Sequence, residues 1–170
     1  SGNAALVRKA RVDASSAGAH LVVFSELVLT GYPPEDLVLR PSLLDAVERE
    51  IDRLVADTAD GGPGLLVTGP ARVSGGVANA VFLLDGGRKL AVRTKHELPN
   101  YGVFDEKRVF VAGPISEPIA FRGLSLGVPI CEDVWLPTCA GALARAGAQI
   151  LIVPNGSPFE LGKVAQRLAM

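Results

Sequence analysis

Cysteine, methionine and aromatic residues are scarce in this sequence of 170 residues. Two cysteines, Cys131 and Cys139, are too few for a disulfide framework, which favours a reducing compartment, and we expect a cytoplasmic location. The single methionine is the last residue, and the chain opens on Ser1 directly before a helical pattern. We therefore expect a piece of a longer protein, incomplete at both ends, although Ser1 could equally be a remnant of processing.

The sequence also lacks an excess of charge and a long apolar run. With 17 basic and 18 acidic residues the formal net charge is −1, so neither nucleic acid nor an anionic membrane surface is expected as a partner. No uninterrupted apolar run approaches the roughly 20 residues that a membrane-spanning helix needs. What is present is an ordinary globular balance, 48% hydrophobic and 21% charged, which excludes an intrinsically disordered chain.

Short apolar runs alternate with amphipathic segments, which indicates an α/β protein with a mixed sheet. The sequence predicts helices at Ala4–Ala17, Ser42–Asp60 (with Ser42 as its cap), Pro137–Ala146 and Pro158–Met170. Apolar runs predict strands buried on both faces at His20–Phe24, Leu65–Gly69 and Gln149–Val153. Two hairpins are predicted, pairing Val77–Leu84 with Lys89–Arg93 and Ile119–Phe121 with Leu124–Ile130.

Three chemically useful side chains, Glu26, Lys95 and Cys131, follow predicted strands. Ligands of open α/β sheets bind beyond the carboxyl ends of strands, so these side chains are candidates for one site. A thiolate attacks a carbonyl carbon, a carboxylate takes the thiol proton and activates water, and an ammonium stabilises an oxyanion and lowers the thiol pKa. The set predicts amide or nitrile hydrolysis through a thioester. Position alone leaves the alternative open that the cysteine is packed in the core and the charged residues are solvated.

Longer motifs resemble a known family. The segments FSELVLTGYPPEDLVLRPSLL, TKHELPNYGVFDEKRVF and GVPICEDVW resemble the three signature regions of the carbon–nitrogen hydrolase, or nitrilase, superfamily. Within and beyond them, GYPPEDL, LPNYGVFDE, ICEDVW and NGSPFELGK are similar to the amino-terminal glutaminase domain of bacterial glutamine-dependent NAD⁺ synthetases. The motifs occur in the family's order and extend over positions 25 to 163, nearly the whole sequence.

The resemblance implies a catalytic role for four residues. The family's triad falls on Glu26 as general base, Lys95 as the stabiliser of the oxyanion and Cys131 as the nucleophile. Cys131 would attack the side-chain amide of glutamine, release ammonia and carry the glutamyl thioester. Glu106 matches a second glutamate that orients the lysine; without the resemblance it would be interpreted as a surface charge in the Asp105–Arg108 run.

The resemblance also implies a glutamine pocket. Tyr101 and Glu132 match positions that line it, and a carboxylate suits the α-ammonium of the substrate. Tyr32 lies on the loop beside Glu26 and is expected to close over the site. Ser157 and Phe159 are expected in the pocket wall.

For the fold, the resemblance implies a nitrilase-like α-β-β-α sandwich, with residues 1–170 as part of a carbon–nitrogen hydrolase domain. A strand before the first helix, later elements of the sandwich and the whole synthetase domain are expected outside the sequence. ATP and Mg²⁺ would bind that domain. No cofactor is expected in this chain, and no metal, because its His and Cys spacing fits no zinc site.

The parent reaction implied is the ATP-dependent amidation of nicotinic acid adenine dinucleotide to NAD⁺, with ammonia supplied from Cys131. The implied partners are glutamine, the synthetase domain and further copies of the protein in a homo-oligomer. A stand-alone amidase of the same superfamily and a non-catalytic fragment of such a domain remain as alternatives. We expect the isolated 170 residues to have little or no activity.

Overall fold

The computed structural model describes residues 2–158 and 161–168. Its helices are α1 (Gly2–Ser16), α2 (Pro41–Asp57), α3 (Pro137–Arg145) and α4 (Lys163–Leu168). Its strands are β1 (Leu21–Val23), β2 (Gly64–Val73), β3 (Gly76–Asp85), β4 (Arg88–Thr94), β5 (Ile119–Phe121), β6 (Leu124–Gly127) and β7 (Ile150–Leu151). Short 3₁₀ helices lie at Glu35–Leu39, Thr58–Asp60, Glu106–Arg108 and Cys131–Val134. Among the described residues, no helix has both the length and the apolarity to cross a membrane.

The strands form two mixed sheets. In the first, with order β1-β2-β3-β4, β1 runs parallel to β2 and the other pairs are antiparallel. In the second, with order β5-β6-β7, β5 is antiparallel to β6, and β6 is parallel to β7. Both predicted hairpins are therefore confirmed, and the predicted mixed sheet is in fact two sheets.

Alternation along β2 and β3 gives the first sheet two apolar faces. Leu65 and Val67 of β2 pack in one cluster with α1 and α2, whereas Leu66 between them packs in a second cluster with β5 and β6. Successive side chains of a strand point to opposite faces, so a run that is apolar at every position is buried on both. Phe82 and Leu83 of β3 divide between the clusters in the same way.

The second sheet is covered on its outer face by α3. Leu126 of β6 belongs to the core between the sheets, and the next residue, Gly127, faces the helix. A Cβ at Gly127 would lie 3.3 Å from the Cβ of Leu143 on α3. The layers are thus α1 and α2, first sheet, second sheet and α3. This confirms the predicted nitrilase-like α-β-β-α sandwich.

Two strands differ from the prediction that they are buried on both faces. β1 and β7 lie at sheet edges, where Val23, Ile150 and Leu151 are 43%, 44% and 42% exposed. β7 is also shorter than the predicted strand Gln149–Val153. A short apolar run carries no record of how many strands will flank it, so the runs did not show that these two strands lie at sheet edges.

The second helix begins one residue before its predicted cap. Pro41 occupies the first turn, where its missing N–H costs nothing, and Arg40 is the cap residue without a side-chain bond. The prediction that Ser42 caps this helix is therefore wrong. The end of the predicted helix is the separate 3₁₀ turn Thr58–Asp60.

Candidate active site

Asn79 on β3 is where the chain segments after β1 and β4 meet. Beyond β1 the chain follows the middle of β2, where the Leu29 N–H donates to the Thr68 carbonyl at 3.2 Å. From that segment Glu26 reaches β3, and Asn79 Nδ2 donates to Glu26 Oε1 at 2.8 Å. From the other side, the Lys95 N–H donates to the Asn79 carbonyl at 2.8 Å. Strands at opposite edges of the first sheet thereby bring Glu26 and Lys95 together.

Lys95 lies between two carboxylates. Its Nζ donates to Glu26 Oε1 at 2.7 Å and to Glu106 Oε1 at 2.8 Å. The side chains of Lys95, Glu26 and Glu106 are 0%, 1% and 4% exposed, so water screens these charges little. The Tyr32 hydroxyl donates to Glu106 Oε1 at 2.9 Å. Three predicted catalytic residues and one predicted pocket residue are therefore in one hydrogen-bonded cluster.

Burial and neighbouring charges shift the pKa of three groups in this cluster, Lys95, Glu106 and Tyr32. Burial disfavours the ammonium, but the charges of Glu26 and Glu106 outweigh it, and the pKa of Lys95 is raised. Burial raises the pKa of Glu106, and the charge of Lys95 offsets this only in part. Burial and the Glu106 charge raise the pKa of the Tyr32 hydroxyl, which therefore remains a hydrogen-bond donor.

Cys131 stands at the start of a 3₁₀ turn in a conformation that is uncommon for a residue with a side chain. Its φ is +46°, and its N–H donates to the Pro154 carbonyl at 2.9 Å. Its Sγ lies 3.4 Å from Asn155 Oδ1 and 3.7 Å from Ser157 Oγ. Backbone strain of this kind, costing about 1–3 kcal/mol, clusters at active sites. The thiol is thus held by the 154–157 segment, and Ser157 is beside it as the predicted pocket wall requires.

Gly156 connects the thiol to the general-base candidate. Its N–H donates to Glu26 Oε2 at 3.1 Å, while its neighbours in the 154–157 segment contact Cys131. A Cβ at Gly156 would lie 2.9 Å from Glu26 Oε2, closer than a real Cβ ever comes. Glycine therefore lets the backbone approach the carboxylate closely enough to join Glu26 and Cys131.

The thiol is protonated at rest. Burial and the charge of Glu26 raise the pKa of Cys131 to about 11, and the Lys95 ammonium offsets this only in part. The ammonium of Lys95 does lower the thiol pKa, as expected, but burial and then the charge of Glu26 outweigh it.

Tyr101 and Glu132, which the resemblance placed in the glutamine pocket, are hydrogen-bonded to each other. The Tyr101 hydroxyl donates to Glu132 and lies 3.0 and 2.9 Å from its two carboxylate oxygens. Burial and this bond raise the pKa of Tyr101 to about 12. The ring of Phe104 lies 5.5 Å from Tyr101 and 6.2 Å from Tyr32, between centroids. Phe159, also predicted for the pocket wall, lies outside the described residues.

Three residues of the site were missed by sequence reasoning: Asn79, Asn155 and Asp133. Asn79 is polar within an apolar strand pattern, which is a usable signal, because a buried amide needs a partner. Asn155 stands in the NGSPFELGK motif without a role assigned to it. Asp133 follows Cys131 by two positions, and its partners are visible only in three dimensions.

A possible metal cluster was also not predicted. Ligand atoms of His96, Glu97 and Cys139 lie within 4.8 Å of one another, and His96 Nδ1 lies 2.7 Å from the Gly113 carbonyl oxygen. Three ligands are one short of a closed tetrahedral set. Burial, together with the charges of Asp133 and Glu97, raises the pKa of Cys139 to about 11, which disfavours the thiolate that a metal would need. We assign no metal to this cluster.

A groove of about 530 Å³ opens on the Glu26 side of the site. Glu26, Tyr32 and Gly156 line it together with residues of α1. Neither Lys95 nor Cys131 contributes to its lining. Because a substrate amide must touch Cys131, this groove alone is not the substrate pocket.

The sequence matches the family model for carbon–nitrogen hydrolase over residues 1–169. Curated relatives include the glutamine-dependent NAD⁺ synthetase of Rhodobacter capsulatus, 47% identical over 152 residues. The match covers 89% of this chain and 27% of that relative. The corresponding protein of Xanthomonas campestris is 43% identical over 154 residues, with 89% and 28% covered. The chain thus spans less than a third of the length of these relatives.

Solved structures give the same result. A glutamine-dependent NAD⁺ synthetase from Acinetobacter baumannii, in complex with ADP, superposes with a TM-score of 0.91 at 33% identity, over 98% of this chain and 31% of that one. An amidase from Nesterenkonia sp. AN1, with acrylamide added at its active site cysteine, gives 0.81 at 28% identity, over 96% and 64%. These matches confirm the resemblance that the motifs predicted, and the chain belongs to the carbon–nitrogen hydrolase family.

Proposed function

We propose that this chain is the glutaminase portion of a glutamine-dependent NAD⁺ synthetase and hydrolyses the side-chain amide of glutamine at Cys131. The observation that carries the proposal is the buried contact set in which Lys95 lies between Glu26 and Glu106, with Gly156 joining Glu26 to the loop around Cys131. A thiol beside a carboxylate and a fixed ammonium supplies nucleophile, base and oxyanion stabiliser for acyl transfer.

In the first half-reaction, Sγ of Cys131 attacks the amide carbon of glutamine while the Glu26 carboxylate accepts the thiol proton. The carbonyl oxygen becomes an oxyanion, which the Lys95 ammonium stabilises; its bonds to Glu26 and Glu106 use two of its three donors, leaving the third for this oxygen. The carbon–nitrogen bond then breaks and Glu26 returns its proton to the leaving nitrogen. Ammonia departs and the γ-glutamyl thioester stays on Cys131.

In the second half-reaction, Glu26 takes a proton from water, and the resulting hydroxide attacks the thioester carbon. Lys95 again stabilises the oxyanion. The carbon–sulfur bond breaks, the thiolate of Cys131 regains its proton from Glu26, and glutamate leaves. One carboxylate therefore serves as base and acid in both halves, which suits its burial beside the sulfur.

Glu106 and Tyr32 position the lysine in this scheme. Glu106 accepts hydrogen bonds from both the Lys95 ammonium and the Tyr32 hydroxyl, so it fixes the ammonium without touching substrate. Tyr32 also forms part of the wall beside Glu26 and is proposed to close over bound glutamine. The raised pKa of Tyr32 keeps its proton available for this bond.

Glutamine is the proposed substrate because of the hydrogen-bonded pair Tyr101 and Glu132. Glu132 is adjacent to Cys131 and carries a negative charge that would pair with the α-ammonium of the substrate, and the Tyr101 hydroxyl orients it. Ser157, 3.7 Å from the sulfur, would contact the substrate at the reacting end. Phe159 is proposed to complete the wall.

The released ammonia would amidate nicotinic acid adenine dinucleotide to NAD⁺, using ATP and Mg²⁺ bound by a synthetase domain. The curated relatives carry the name of this activity, and the A. baumannii structure holds ADP, which supports the assignment. In this proposal residues 1–170 are part of the glutaminase domain and bind no cofactor or metal themselves. A cytoplasmic location and homo-oligomeric assembly belong to the same proposal.

The test is ammonia release from glutamine by the full-length protein. Cys131→Ala should abolish it, lowering kcat by about 10³-fold or more because no thioester can form. Cys139→Ala removes the other thiol of residues 1–170, which is not part of the cluster of Lys95, Glu26 and Glu106, and should leave ammonia release unchanged. Supplying free ammonia to the Cys131→Ala protein should restore NAD⁺ formation. Normal glutamine hydrolysis by Cys131→Ala would contradict the proposal.

A stand-alone amidase is the second candidate, favoured by the superposition on the Nesterenkonia enzyme. The two functions differ in substrate. Glutamine should be hydrolysed with a higher kcat/KM than simple aliphatic amides such as acetamide, because only glutamine offers an α-ammonium to Glu132. In a glutaminase, Glu132→Gln should remove most of the preference for glutamine. In an amidase of aliphatic substrates, the same change should lower kcat/KM for acetamide little. If neither glutamine nor acetamide were hydrolysed, the third alternative, a non-catalytic fragment of such a domain, would be favoured.

A further inference from the structure

Asp133 is a buried carboxylate that the mechanism above does not use. It is 3% exposed and accepts three backbone N–H bonds. Its Oδ1 accepts from His96 at 3.0 Å and from Glu97 at 2.7 Å, and its Oδ2 accepts from Ile130 at 2.9 Å. Burial raises the pKa of Asp133, while the three N–H groups and the charge of Lys95 oppose the rise and favour the carboxylate.

The three N–H groups that bind Asp133 lie next to Lys95 and Cys131 in the chain. His96 and Glu97 directly follow Lys95, at the end of a strand of the first sheet. Ile130 directly precedes Cys131, on the connection that leaves the second sheet. One rigid side chain therefore links the loop that carries the ammonium to the loop that carries the thiol, across the boundary between the sheets.

Resting on the proposed function, we propose that Asp133 is a positioning residue that sets the separation between the Lys95 ammonium and the Cys131 thiol. The bond to Ile130 alone would suffice to cap the turn that begins at Cys131. The bonds to His96 and Glu97 serve no such purpose, because they reach a different sheet. Oxyanion stabilisation depends on a donor aimed at the developing charge, and a misplacement of about 1 Å costs on the order of 10²-fold in rate.

The test is Asp133→Asn in the full-length protein, with ammonia release from glutamine as readout. The amide has one accepting oxygen instead of two, so its NH₂ group faces either the Ile130 N–H or the N–H groups of His96 and Glu97, and two donors repel each other at one end of the link. We expect kcat to fall by about 10- to 100-fold, as for other supporting residues, with KM unchanged because Asp133 bonds backbone rather than substrate. Asp133→Ala, which removes all three bonds, is the second variant and should lower kcat at least as far. Asp60→Asn, the same change at an exposed carboxylate paired with Arg11, should leave kcat unchanged.

Thiol alkylation gives a second readout that does not depend on turnover. In a Cys139→Ala background Cys131 is the only thiol of residues 1–170, and mass spectrometry of the peptide that contains it reports its alkylation by iodoacetamide. Moving the ammonium away weakens its stabilisation of the thiolate, so Asp133→Asn should slow alkylation at a fixed pH. A residue that merely stabilised the loop would, when changed, expose the thiol and speed alkylation.

The outcomes separate the two proposals. Unchanged kcat, or faster alkylation, in Asp133→Asn would overturn the positioning role, whatever the substrate proves to be. Failure of the wild-type protein to release ammonia from glutamine would overturn the proposed function, while slower alkylation in Asp133→Asn would still support the positioning role.

Discussion

At the scale of single residues, the positive and negative charges of the candidate site offset one another. Lys95 is neutralised by Glu26 and Glu106, and the Cys131 thiol keeps its proton because burial and Glu26 outweigh the lysine. A resting thiol avoids side reactions such as oxidation, since the thiolate is the reactive form. In the proposed mechanism, deprotonation is deferred to the moment of attack, when Glu26 receives the proton and its own negative charge disappears.

Glu26→Gln tests this compensation because it should slow turnover and at the same time make the Cys131 thiol easier to ionise. Turnover should fall by about 10²- to 10⁴-fold because the general base is lost. The pKa of Cys131, about 11, should decrease, because a negative neighbour is removed while Lys95 remains. Iodoacetamide alkylation in the Cys139→Ala background should therefore reach half its maximum at a lower pH than in the parent.

The matched control is Glu48→Gln, which changes an exposed glutamate paired with Arg72. It should leave both the pH profile and the turnover as they were. A rise in the thiol pKa on Glu26→Gln would contradict the assigned electrostatics.

At the scale of elements, close packing of α3 and β7 on β6 holds the strand from which the nucleophile loop departs. Gly127 ends β6, and a Cβ there would lie 2.5 Å from Leu151 Cδ2 and 3.1 Å from the Ala148 Cβ. Glycine is therefore required by space rather than by backbone conformation. Any side chain at this position must push its neighbours away from the sheet.

Gly127→Ala should lower the free energy of unfolding by about 1–3 kcal/mol, the usual cost of overpacking. Gly141→Ala is the control within α3: its Cβ would meet only the flexible end of Arg145, at 3.2 Å, and alanine favours the helix by up to about 1 kcal/mol. Urea denaturation of both variants should give shifts of opposite sign. Equal stability of Gly127→Ala and the parent would mean that the helix does not pack on β6 as described.

At the scale of the whole molecule, the core between the sheets supports the nucleophile directly. Cys131 belongs to the same buried cluster as Leu66, Leu83 and Ile130. The cluster joins the two sheets, so the relative position of Cys131 and the Glu26–Lys95 pair depends on how well this layer is filled. Interiors pack densely, which makes such a layer stiff.

Leu83→Ala should cost about 2–5 kcal/mol of folding free energy, because a fully buried leucine leaves a cavity. Leu37→Ala, at a site 59% exposed, should change stability by less than about 0.5 kcal/mol. Chemical denaturation measures both. If the two variants were equally stable, the layer between the sheets would not be the core that the structure places there.

Those parts of the fold that depend on local sequence patterns could be predicted from the sequence. An apolar run marked β2 as buried on both faces, a turn between two apolar runs placed β3 in a hairpin, and the helices followed from the spacing of their apolar residues. The edge positions of β1 and β7 could not be predicted, because the number of flanking strands is decided by long-range pairing.

The sequence by itself determined the chemical inventory: Glu26, Lys95 and Cys131 after strands, with motifs long enough to indicate the family. Only the tertiary structure decided that these groups meet at Asn79 and Gly156, and that Asp133 joins their loops. It also decided that burial and the charge of Glu26 outweigh the Lys95 ammonium in setting the thiol pKa. The physical reason is that burial and charge act through space, over distances that chain spacing does not record.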